Sequence, residues 1–159
     1  MTHLRQLRVE DINYDIENGF CYLASYYWTA DLDVAQDFLF ITPDTAGDYP
    51  YSGCFISTDE TEYLCFVDPT VTDNGTPMTR INRNLNIALD ASDCTVFHTP
   101  TTTDDGTQLY KTRWGSGKKA GGASDMMGVY LKTNTKYLFR VISIVNDNKL
   151  TAEFNWSEK

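Results

Sequence analysis

Polar and apolar positions alternate most cleanly at the C-terminal end of the chain. Leu150, Ala152, Phe154 and Trp156 interleave with Thr151, Glu153 and Asn155, the period-two pattern of a half-buried strand. Lys136 to Val145 is an unbroken β-prone run ahead of it, and Asn146-Asp147-Asn148 supplies a turn. The two segments read as a hairpin, with Leu150, Phe154, Trp156 and alternate residues from Tyr137 onward facing the core. Residues 20–29 and Asp37–Thr42 form further strand candidates, followed by a turn from Pro43 to Gly47. Cys54–Ser57 and Tyr63–Val67, joined by the acidic turn from Thr58 to Glu62, read as a second hairpin. Asp73-Asn74-Gly75-Thr76-Pro77 is a turn signal. Asn84–Leu89 and Thr95–His98 are short strand candidates, Thr99–Thr107 reads as a loop, and Gly115–Gly128 as a glycine-rich flexible loop. Residues 1–19 carry a weak helical pattern (Leu4, Leu7, Ile12, Ile16) that is never sustained. They read as an arm with a single helical turn. Short strands punctuated by turn signals every eight to twelve residues or so specify an all-β fold. The expected architecture is a two-sheet, jelly-roll-like β-sandwich over residues 20–159, preceded by an N-terminal arm over residues 1–19.

The composition agrees with strands. Aromatic residues make up 13% of the 159 residues, with ten Tyr and eight Phe, types that favour pleated, half-buried surfaces. A hydrophobic content of 42% argues against bulk disorder and permits a real core. The longest apolar runs, such as Phe38–Ile41, are too short to span a bilayer. Charges interrupt the first residues every few positions, so a signal peptide is not expected. Cys21, Cys54, Cys65 and Cys94 contain no Cys-x-x-Cys pair. All four read as reduced thiols of a protein made in a cytoplasm, and Cys21, Cys54 and Cys65, in strand-like runs, as buried small hydrophobes.

Charge is polarised along the chain. Residues 9–79 hold fourteen Asp or Glu and no Lys or Arg, whereas residues 80–159 hold eleven Lys or Arg against eight Asp or Glu. The net charge of −9 opposes binding to bare nucleic acid. The plain reading of the acidic half is a solvated surface. The sharper one is a docking side for a basic neighbour or another copy, with contacts sensitive to salt.

Motifs for catalysis are weak. Gly117-Lys118 sits in a glycine-rich run, but a phosphate loop needs Gly at 112 and Ser or Thr at 119, where this chain has Thr112 and Lys119. A mobile loop presenting Lys118 and Lys119 to a partner or to solvent fits better. Cys94 and His98 share a strand face but lie ~13 Å apart, too far for a nucleophile and its base. Two histidines and four scattered cysteines lack zinc spacing. Asp31-Leu32-Asp33 lacks the later ligands of a calcium loop, and Asp104-Asp105 reads as a solvated loop. No enzyme activity, metal or cofactor is expected.

Five stretches carry a resemblance. They are Met78-Thr-Arg-Ile-Asn-Arg-Asn84, Val96-Phe-His-Thr-Pro-Thr-Thr-Thr-Asp-Asp-Gly-Thr107, Trp114-Gly-Ser-Gly-Lys-Lys-Ala-Gly-Gly122, Leu131-Lys-Thr-Asn-Thr-Lys-Tyr-Leu-Phe-Arg140 and Ala152-Glu-Phe-Asn-Trp156. In this order and spacing they resemble small virion structural proteins of tailed bacteriophages, over about half the chain; residues 1–73 carry no part of it. The resemblance implies a capsid decoration or cement protein on the capsid exterior, made in the host cytoplasm. It would bind the major capsid protein and itself, as a dimer or trimer, without nucleic acid or membrane. The alternative is a tail- or fibre-associated module that recognises a host surface. Arg80 and Arg83, flanking asparagines, suit forked hydrogen bonds to carboxylates or carbonyls. With Lys118, Lys119 and the arm residues Leu4, Arg5, Leu7, Arg8 and Ile12, they form the expected interface set.

Overall fold

In a computed structural model of the chain, the described residues are 14–87, 92–115, 122–125 (backbone only) and 128–159. Among them are fourteen strands. β1 (Cys21–Ala30), β2 (Ala35–Ile41), β3 (Tyr49–Ser57) and β4 (Thr61–Val67) come first. β5 (Thr70–Asp73), β6 (Thr76–Pro77), β7 (Ile81–Asn82), β8 (Thr95–His98) and β9 (Thr101–Asp104) are short. β10 (Thr107–Trp114), β11 (Gly122–Asp125), β12 (Val129–Leu131), β13 (Lys136–Ser143) and β14 (Asn148–Ser157) complete the chain.

Two antiparallel sheets form a sandwich. The first has the order β11-β3-β14-β1-β7, with β12 also on β3, and the second β10-β4-β13-β2-β8-β6. From β1 to β4, and again from β12 to β14, successive strands switch sheets; β14 slots between β1 and β3, and β13 between β2 and β4. That winding is a jelly roll. Residues 68–106 are inserted between β4 and β10. Within the insertion, β7 extends the first sheet past β1, β8 and β6 extend the second past β2, and β5 pairs with β9 as a separate ribbon. Edge strands invite unwanted pairing, and the insertion covers the edge that β1 and β2 would otherwise present.

The core is aromatic. Phe38, Phe40 and Phe139 of the second sheet meet Tyr51, Phe55 and Phe154 of the first, all nearly or wholly buried. Rings of the two sheets meet both edge-on, as in Phe40–Trp156 at 5.2 Å and 87°, and stacked, as in Tyr51–Phe139 at 5.3 Å and 15°, the two arrangements that ring quadrupoles favour. Leu150, Ala152, Phe154 and Trp156 all face inward, as do Tyr137, Phe139 and Val141. The second sheet is also covered on its outward side, where Leu64, Phe66 and Leu138 form a smaller cluster. The Arg140 guanidinium lies 5.6 Å from the Phe66 ring and bridges Asp37 of β2 and Asp105 of the β9–β10 loop.

Both expected hairpins are corners instead. β3 and β4 lie in different sheets, and so do β13 and β14. A period-two pattern says which face is buried but not which strand is the partner. The buried Asn148 ties the two corners together. Its Oδ1 accepts from Thr58 Oγ1 and Asp59 N, both at 3.1 Å, and its Nδ2 donates to Glu60 O at 3.2 Å and Thr61 Oγ1 at 3.0 Å. Residues 84–87 form a turn rather than the expected strand, with Asn86 N donating to Asn84 Oδ1 at 3.1 Å; 88 and 89 lie outside the described residues. The expected loop 99–107 contains β9, and the glycine-rich segment contributes β11. Residues 14–17 form one helical turn. The end of the arm folds back on its own sandwich: Asn82 Nδ2 donates to Gly19 O at 2.7 Å and Asn84 Nδ2 to Glu17 O at 2.8 Å.

Candidate functional site

The Met78–Asn84 motif wraps the β1 side of the sandwich. Arg80 Nη1 donates to the carbonyls of Ser92 at 2.9 Å and Cys94 at 2.7 Å, so the fork grips its own backbone. Opposite it, the Glu158 carboxylate accepts hydrogen bonds from Ser92 Oγ, Asp93 N, Cys94 N and Trp156 Nε1. Burial alone would push this carboxyl up, but the four donors outweigh it and hold it below the ordinary carboxylate range. Together Arg80 and Glu158 fasten residues 92–94 to the sandwich.

Arg83 is exposed and stands away from Arg80. It lines a cleft of about 620 Å³ with Asp15, Cys21, Ser52 and Asn155. Leu4, Arg5, Leu7, Arg8, Ile12, Lys118 and Lys119 lie outside the described residues. Burial pushes the Cys65 thiol up to about 12, and burial with the Glu158 carboxylate pushes Cys94 well above the ordinary thiol range. Neither sulfur is a usable nucleophile near neutral pH.

Folding pairs the two charge halves of the sequence. Asp15 meets Lys159, Asp37 meets Arg140, Glu60 meets Arg113 and Glu62 meets Lys111. Each acid comes from the cation-free stretch and each base from the second half, so these four carboxylates are already answered within one molecule. Acids further along that stretch sit in loops, among them Asp31, Asp33, Asp44 and Asp48.

No family model and no curated protein matches the chain.

Among the described residues, two surfaces offer exposed apolar groups suited to contact. The outward side of the first sheet presents Leu23, Tyr27, Ile56, Ser25, Ser52, Thr151 and Asn155, by the alternation of β1, β14 and β3. Tyr27 is 62% and Ile56 42% exposed. On these three strands the outward ionisable groups with a permanent charge are Glu153 and, at one end, Lys149, so the strands themselves present a nearly neutral face, indented at the Ser52 and Asn155 end by the cleft that Arg83 and Asp15 line.

The second surface is a cleft of about 540 Å³ where the sheets part between β10 and β12. Its floor is Cys65, Val67 and Phe139, and its walls are Leu109, Tyr110, Val129 and Tyr130. A register shift between Gln108 and Tyr110 turns the β10 edge here; such bulges re-aim neighbouring side chains. Lys132 is the one charged side chain in the lining. The sequence reading missed this cleft. Leu109-Tyr110 and Val129-Tyr130 were visible as paired apolar residues, but their meeting depends on β10 and β12 lying at the same end of opposite sheets.

Proposed function

We propose that this protein is a structural component of a tailed-phage virion, a decoration protein that binds the outer capsid lattice and bridges neighbouring subunits. One observation carries this reading: the outward side of β1, β14 and β3 is a nearly neutral sheet face with exposed Tyr27 and Ile56, in a chain several of whose charged groups pair within its own fold. Contiguous exposed apolar surface marks interaction sites, and many identical copies on a lattice need only modest affinity each. The resemblance of residues 78–156 to virion proteins supports the same reading. The test is the copy number in purified virions, read from a stained gel against the major capsid band. Hundreds of copies per particle fit a lattice decorator, and a dozen or fewer reject it. The low number would favour a tail- or fibre-associated module, in which the exposed Tyr27, Tyr110 and Tyr130 contact a host surface.

A further inference from the structure

The cleft between β10 and β12 has a counterpart on the same molecule. The β1–β2 loop, Asp31-Leu32-Asp33-Val34, carries two aliphatic side chains that are each 49% exposed, flanked by two exposed carboxylates. The loop is held in place. Leu32 N donates to Asn146 Oδ1 at 3.1 Å, Asp33 N to Ser143 O at 2.8 Å and Val34 N to Asp31 O at 3.1 Å, with Asp33 at a φ of 61°. Two leucine-sized groups are thus presented at little ordering cost on binding.

The other exposed aliphatics fit a cleft less well. Ile56 lies on the outward sheet face, and Leu85 stands alone between Asn84 and Asn86. Sign matters too: the loop is acidic, and the charge lining the cleft is the Lys132 cation, so the two surfaces are complementary. Position completes the argument. The loop sits at the end of the sandwich where Ala30 pairs with Asn148. The cleft sits at the opposite end, where Leu131 pairs with Tyr49 and Tyr137 with Val67. A molecule cannot fill its own cleft, but a neighbour can.

We propose that the β1–β2 loop of one copy seats Leu32 and Val34 in the β10–β12 cleft of a second copy, with the loop carboxylates beside Lys132. The contact is heterologous, head to tail. It propagates into a ring or a chain rather than stopping at a two-fold dimer. It does not rest on the virion reading, because it is a property of the purified chain.

Sedimentation velocity over a range of concentrations tests it. The full-length protein should associate reversibly beyond a dimer. Leu32→Ser/Val34→Ser and Leu109→Ser/Tyr130→Ser should each sediment as monomers with unchanged melting temperatures, since all four side chains are exposed. Mixing the two variants should give dimers and nothing larger, because one intact loop meets one intact cleft. A wild-type protein that stays monomeric, a variant that still associates, or a mixture that remains monomeric overturns the proposal. If the cleft variant melts early, Lys132→Glu takes its place, with at least a tenfold weaker association expected and unchanged association counting against the contact.

Discussion

Glu158 shows how one carboxylate can secure a length of chain. Its folded-state pKa lies below the ordinary value because four donors favour the ion over the acid. A carboxyl depressed on folding adds stability above its unfolded pKa of about 4.3, and that contribution is lost as pH falls through the lower folded value. Wild type should therefore out-melt Glu158→Gln at pH 7, with the gap closing below about pH 4. A constant gap between pH 7 and pH 3 would mean the charge plays no part. Gly53 illustrates a steric demand. A Cβ there would lie 2.5 Å from the hydroxyl of Tyr51, which is itself buried and stacked on Phe139. Gly53→Ala should cost about 1–3 kcal/mol, as overpacking does. Urea unfolding measures it, and a change within error would show that the Tyr51 ring can yield. The first demand was not visible in the sequence because Ser92, Asp93 and Cys94 reach Glu158 only in the fold, and the second because the pose of the Tyr51 ring over its strand neighbour Gly53 is set by packing on Phe139.

Strands were legible in the sequence to the extent that burial is one-sided. The alternation of Leu150 to Trp156 correctly gave the inward set, and Phe154→Ala should lose roughly 3–5 kcal/mol by the usual cost of deleting a buried aromatic. Equilibrium denaturation decides it, and a loss under ~1 kcal/mol is incompatible with that core position. β10 was not legible because most of its side chains are exposed, leaving no apolar period to read. The two corners were misread as hairpins because turn chemistry marks where a chain reverses and not whether it returns to the same sheet. Asn148 makes that choice physical, since its amide serves backbone and side chains of the facing corner. Asn148→Ala should destabilise by about 1–3 kcal/mol, the cost of stranding buried partners. Asn148→Asp keeps the acceptor and should recover part of it. Equal melting of both variants would place the stabilisation elsewhere. Of the expected interface, only Arg80 and Arg83 fall among the described residues. Arg80 donates to two carbonyls of its own chain from one nitrogen, Nη1.

At the scale of the whole molecule, four acids of the first half pair with cations of the second, and the strands of the proposed particle-facing sheet are nearly neutral. Attachment to virions should therefore change little between low and molar salt, because screening acts on exposed charge and spares apolar contact. Release at moderate salt, assayed by pelleting particles, would shift the contact to the acidic loops. One further consequence follows from β1 and β14, which pair along their whole length from Cys21 with Ser157 to Ala30 with Asn148. Among the described residues, the first strand is thus zipped to the last. Until β14 has been made, β1 and β3 flank an open slot in the first sheet. A nascent chain stalled before residue 148 should thus remain protease-sensitive, and emergence of β14 should close the sheet in one step.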